Sequence, residues 1–149
     1  MQKGGKEMQF ENEARVFFSA KSENESFARI FAAGFLAGLD PTLSELADIK
    51  TAVSEAVTNA ILHGYEEQEG MVELFCGYCE RKVSIEVADK GKGIGDIAQA
   101  REPLYTSKPE MERSGMGFTI MESFMDRVQV ESKPGIGTRI LMEKTLAKE

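Results

Sequence analysis

A chain of 149 residues that is 42% hydrophobic has the size of one domain and can bury one continuous core. Its formal charge of −7, from 18 Lys and Arg against 25 Asp and Glu, repels nucleic acid and anionic membranes, so neither is an expected partner and a basic protein surface suits it better. No stretch approaches the roughly 18 apolar residues of a membrane span, residues 1–6 lack the apolar segment of a secretion signal, and a cytoplasmic location is expected.

Residues 1–11 read as a flexible extension and residues 12–146 as a single domain, since no repeat, low-complexity tract or linker divides them. Arg15-Val16-Phe17-Phe18-Ser19 suggests a strand. Ser22 or Asn24 can cap a helix whose apolar positions Phe27, Ile30, Phe31, Phe35 and Leu36 keep helical spacing up to a stop near Gly38. Pro41 precedes a capping box, Thr42-Leu43-Ser44-Glu45, which opens a second helix carrying Leu46, Ile49, Val53, Val57 and Ala60 inward. His63-Gly64 reads as its C-cap.

Two strands follow, at 71–78 and 82–88, joined by Cys79-Glu80-Arg81. Val83, Ile85 and Val87 share one face of the second, which gives Asp89 the parity of a core residue, and an inward carboxylate needs a partner. Cys76 and Cys79 form a C-x-x-C, but with His63 the only histidine they lack the four ligands of a structural zinc site, and a strand is the wrong place for a redox pair; reduced structural thiols are expected. Residues 96–114, with Pro103, Pro109 and mixed charges, have the length of a functional lid. Phe118, Ile120, Met121, Phe124 and Met125 then mark a short amphipathic helix, and strands at 128–132 and 138–143 form a hairpin around Pro134-Gly135-Ile136-Gly137. Helices in pairs and strands adjacent in sequence predict an α+β fold, a two-layer sandwich with the helices on one face of a mixed, mostly antiparallel sheet.

Three motifs carry chemistry. In Ser54-Glu55-Ala56-Val57-Thr58-Asn59-Ala60, Glu55 and Asn59 stand four apart and stack a carboxylate over an amide on one helix face. The carboxylate can take a proton, and the amide oxygen can hold Mg²⁺. Alone, such a pair is ordinarily a solvated helix face; the downstream motifs overturn that reading. Asp89 can accept from an exocyclic amine such as adenine N6, which guanine does not offer there. Gly91, Gly93 and Gly95 keep the turn after it open beside a base and ribose, although glycine-rich surface turns look the same. Gly115 and Gly117 precede an apolar helical run, so backbone N–H groups and the positive helix end can face phosphate oxygens. Arg113 could add a charge-assisted contact to the terminal phosphate, with Lys108 a weaker candidate. The three motifs together read as an ATP site. His63, beside a glycine, fits a structural role.

In this order the motifs resemble those of the GHKL ATPase family: an N-box helix, a D-x-G-x-G turn and a later G-x-G. The chain is too short for the gyrase, Hsp90 or MutL members and lacks the histidine-bearing helix of histidine kinases. It is similar to the small anti-sigma kinase branch, and strongly so to its sporulation members, through Asn24-Glu25-Ser26-Phe27-Ala28-Arg29, the N-box, His63-Gly64-Tyr65, Thr106-Ser107-Lys108-Pro109 and Arg113-Ser114-Gly115-Met116-Gly117-Phe118-Thr119-Ile120-Met121-Glu122. The likeness runs from about Asn12 to the last strand. It implies the Bergerat fold, ATP and Mg²⁺ as cofactors, capture of a sporulation sigma factor of the F type, phosphorylation of a serine on an anti-anti-sigma factor, and a homodimer. By the same likeness Glu55 is the general base, Asn59 the Mg²⁺ ligand, Asp89 the adenine reader and Thr138 a second, water-mediated base contact. Arg113 would meet the γ-phosphate and Arg29 would face protein partners. Two other readings share these motifs: a nucleotide-gated binding module without phosphoryl transfer, and a kinase of a stress-response sigma pathway.

Overall fold

The computed structural model describes residues 9–66, 68–95, 97, 101 and 117–147. Strand β1 (Asn12–Ser19) leads into α1 (Asn24–Leu36) and a single 3₁₀ turn at Ala37–Leu39, and α2 (Leu43–Thr58) then runs without a break into a wider π turn at Asn59–Gly64. Strands β2 (Met71–Cys79) and β3 (Lys82–Asp89), helix α3 (Gly117–Phe124) and strands β4 (Arg127–Lys133) and β5 (Gly137–Thr145) complete the described elements. No helix among the described residues is long and apolar enough to cross a membrane.

The strands form one sheet in the order β1-β2-β3-β5-β4. All four pairings are antiparallel, so the expected mixture of directions is absent among the described strands. The reason lies in β5. It turns back from β4 and inserts between β4 and β3, which separates the two strands whose connection passes through α3. The three helices cover one face, with α2 in contact with both α1 and α3.

The core between the layers is built from Val72, Leu74, Cys76, Ile85, Val87, Ile140 and Met142 of the sheet and Ile49, Ala52, Val53, Ala56, Val57, Phe118 and Met121 of α2 and α3. The opposite sheet face carries cross-strand charge pairs, Arg15 with Glu73 and Arg139 with Glu86, as an antiparallel surface exposed to water favours. Phe10 packs edge-on against Phe75 on that same face, centroids 5.2 Å apart.

The capping box of α2 forms as expected: the Thr42 hydroxyl accepts from Glu45 N at 3.0 Å and the Glu45 carboxylate accepts from Thr42 N at 2.9 Å. Helix α1 differs from expectation. Glu23 occupies its N-cap position with no side-chain cap bond, because Asn24 instead donates to Ser19 O at 2.8 Å and ties the helix start to β1. Its fully buried residues are Ala28, Ala32 and Leu36, while Phe27 is 42% and Ile30 69% exposed. A stripe of alanines lets the helix lie close to α2, and the larger residues flank the contact.

Candidate active site

Helix α2 buries Ala52, Val53, Ala56 and Val57 completely, which turns the stripe bearing Glu55 and Asn59 toward the side where α3 begins. A Cβ built on Gly117, the first residue of α3, would meet Glu55 Oε1 at 3.4 Å. A carboxylate from α2 and the N-terminal end of a second helix are thus brought together. Asn59 opens the π turn, in which Tyr65 N reaches Ala60 O at 2.9 Å. Single π turns are rare and gather at functional sites.

Asp89 ends β3 with 7% of its surface exposed, the inward placement that strand parity predicts. Burial is the largest influence on its carboxyl and raises its pKa above the ordinary value, opposed by hydrogen bonds from backbone N–H groups of Gly91 and Thr138. Gly91 N donates to Asp89 Oδ1 at 2.8 Å. Thr138 lies directly opposite Asp89 in the β3–β5 register, is 4% exposed, and shares a 2.8 Å hydrogen bond with Ser132. Asp89 and Thr138 therefore stand side by side, although they are 49 positions apart in the chain.

The glycines after Asp89 are held by the protein itself. A Cβ on Gly91 would lie 2.0 Å from Gly64 O, and one on Gly93 would lie 2.2 Å from Lys133 O, with Gly93 also at φ +79°. That φ and that clearance both favour a residue without a side chain. Lys92 N donates to Gly64 O at 2.8 Å, and Ile94 N donates to Ser132 Oγ at 2.6 Å. Gly64 is not the left-handed C-cap that the sequence suggests, since Tyr65 caps the π turn at φ −97°. Gly64 is small because a Cβ there would lie 2.8 Å from the Asp89 carboxylate.

Arg29 projects from α1 onto α2, donating to Ser54 Oγ and to Ser26 Oγ, each at 3.0 Å. Ser54 is one residue from Glu55 along that helix. Arg113, Gly115 and Lys108, and with them most of the expected lid, lie outside the described residues. Cys76 is buried in β2, and burial alone pushes its thiol up to about 12, which makes it an inert core residue. Ser132 was not singled out by sequence reasoning, and Gly64 and Tyr65 entered it only as a helix stop and a resembling segment, with no role in the site. A serine in a strand and a glycine at a helix end carry no local sign of the distant groups they hold.

Residues 18–144 match the histidine kinase-like ATPase domain family. Anti-sigma F factors of Clostridium acetobutylicum and Clostridium perfringens are each 58% identical to the chain over 137 residues, covering 92% and 91% of it and 96% and 98% of those relatives. Among solved structures, the RsbU and RsbW domains of a Mycobacterium tuberculosis protein share the fold with a TM-score of 0.64 at 18% identity, over 93% of this chain and 33% of that one. The sandwich, the ATPase-domain match and the identity to these relatives lead to one assignment: the chain belongs to the anti-sigma F factor family, within the histidine kinase-like ATPase domains.

Proposed function

We propose that the chain is an anti-sigma factor and an ATP-dependent protein serine kinase. With ATP bound it captures and silences a sporulation sigma factor, and it phosphorylates a serine of an anti-anti-sigma partner. The names of its relatives support the first activity. The observation that carries the second is the approach of the Glu55 carboxylate to Gly117, which sets a proton acceptor beside a helix end suited to phosphate.

In this reading Asp89 accepts from the adenine amine, with Thr138 beside it contacting the base through water. Gly91 and Gly93 shape the turn that flanks the nucleotide. Gly115 and Gly117 offer N–H groups to phosphate oxygens, and Arg113 neutralises the terminal phosphate. Glu55 takes the serine proton as the serine oxygen bonds to the γ-phosphorus; the bond from phosphorus to the bridging oxygen breaks, and ADP leaves. Asn59 presents an amide oxygen, a hard donor, one helical turn from Glu55, and Mg²⁺ is usually held by one or two protein groups, with phosphate oxygens and water supplying the rest. The residues present fit such an ion, which when bound would neutralise phosphate charge. Arg29 faces the protein partners. Two copies pair, and the exposed Phe27 and Ile30 of α1 supply an apolar face for that contact.

Incubation with γ-labelled ATP, magnesium and a candidate anti-anti-sigma protein tests the reading. A serine phosphoester on the partner is expected. Nucleotide-dependent capture of a sigma factor with no ester formed would reduce the protein to a nucleotide-gated binding module.

A further inference from the structure

The β2–β3 ladder ends earlier than its register requires. Its last pair at this end is Glu73 with Ala88, and two further steps would bring Met71 opposite Lys90. The Tyr65 hydroxyl occupies that step instead. It donates to Met71 O at 2.7 Å and accepts from Lys90 N at 2.8 Å, so one oxygen bridges the carbonyl and the N–H that a continued ladder would pair directly. The ring reaches this position across Gly70, where a Cβ would lie 2.4 Å from a Tyr65 ring carbon. On the next residues, Lys92 N is fastened to Gly64 O at 2.8 Å, so the π turn that begins at Asn59 grips both sides of the Asp89 turn.

We propose that Tyr65 is a positioning residue for the nucleotide base: its hydroxyl wedges β2 and β3 apart and sets the direction in which the chain leaves the sheet at Asp89. Without the hydroxyl, Met71 O and Lys90 N can pair directly. The ladder then closes by one rung and draws the Asp89 backbone away from Thr138. Tyr65 is bonded to Lys90, the residue next to Asp89, so its loss should act on base recognition ahead of phosphate binding. The inference rests on the reading of Asp89 as the adenine contact.

The test is calorimetric titration of the full chain with ATP and with GTP, in magnesium, for the wild type, Tyr65→Phe, Gly70→Ala and Asp89→Asn. Tyr65→Phe keeps the ring and removes only the bridging oxygen; Gly70→Ala keeps the hydroxyl and displaces the ring. Both should weaken ATP by roughly 5- to 30-fold, the effect of one or two lost hydrogen bonds, with GTP affinity nearly unchanged, so that the preference for ATP shrinks by the same factor. A Tyr65→Phe protein with wild-type preference, or with ATP and GTP weakened equally, overturns the inference and leaves Tyr65 a structural residue. Asp89→Asn separates the two layers. If it abolishes the preference while Tyr65→Phe retains it, only the role of Tyr65 falls; if it retains the preference, the adenine reading falls and the role of Tyr65 with it.

Discussion

Glu55 and Asn59 share one helix face but would fail differently. Glu55→Ala removes the proposed proton acceptor and should slow serine phosphorylation by about 10²- to 10⁴-fold while ATP still binds. Asn59→Ala removes the proposed metal ligand and should lower the affinity for Mg-ATP itself, as calorimetry would record. Equal behaviour of the two variants in both assays would contradict the division of roles. Asp89 makes a separate prediction. Its folded pKa is raised, with burial the leading cause, so the folded protein holds that proton longer than the unfolded chain does. Stability from this group is therefore present below the unfolded carboxylate pKa and is lost as pH rises through the folded value. At neutral pH the buried charge is a burden, and Asp89→Asn should raise the melting temperature of the nucleotide-free protein at pH 7, with the gain fading in acid. A melting curve unchanged or lowered at pH 7 would show that the backbone N–H groups outweigh the burial.

Among the elements, the turn after Asp89 has the least room. Gly91→Ala would drive a Cβ toward Gly64 O, 2.0 Å away, and because the obstacle is backbone it should destabilise the protein by about 1–3 kcal/mol in urea unfolding and weaken ATP as well. Thr42→Ala is the matching control. It removes the α2 cap bond and should cost about 1 kcal/mol with ATP affinity unchanged, since the cap lies at the far end of the helix from Asn59. An ATP defect in Thr42→Ala equal to that in Gly91→Ala would mean that nucleotide binding merely follows global stability. These two elements also mark what the sequence made legible. Thr42 and Glu45 could be read as a capping box because both partners lie within one helical turn, and Asp89 could be placed inward because strand parity is local. Gly64 could not: it looks like a helix stop, and its real constraint is a carboxylate 25 positions later. Helix α1 misled for a different reason. Leu36 is buried and Phe31 and Phe35 pack against the core as their spacing suggests, but Phe27 and Ile30 follow that spacing as well as Ala28 and Ala32 do, and close packing on α2 selected the small pair.

At the scale of the whole molecule, the sheet holds Asp89 and Thr138 together from two strands, and α2 holds Glu55 against the start of α3, so the proposed site draws on both layers. The α+β sandwich was legible because strand and helix periodicities differ and follow one another in a fixed order. The antiparallel insertion of β5 beside β3 was not, since nothing local in either strand names its neighbour. The exposed pair on α1 yields a prediction for the assembly: Ile30→Glu, at a position 69% exposed, should leave the fold intact and shift the proposed dimer toward monomer in sedimentation analysis. A dimer of unchanged strength would place the contact elsewhere.

Binding of an adenine triphosphate by the residues of α2, the Asp89 turn and the start of α3 is the central requirement of the proposed function. Calorimetric titration of the unmodified chain with ATP and GTP in magnesium measures this directly. Saturable binding of ATP with clearly weaker binding of GTP is the predicted result; no heat from ATP at millimolar concentration, or equal affinity for the two nucleotides, would contradict it.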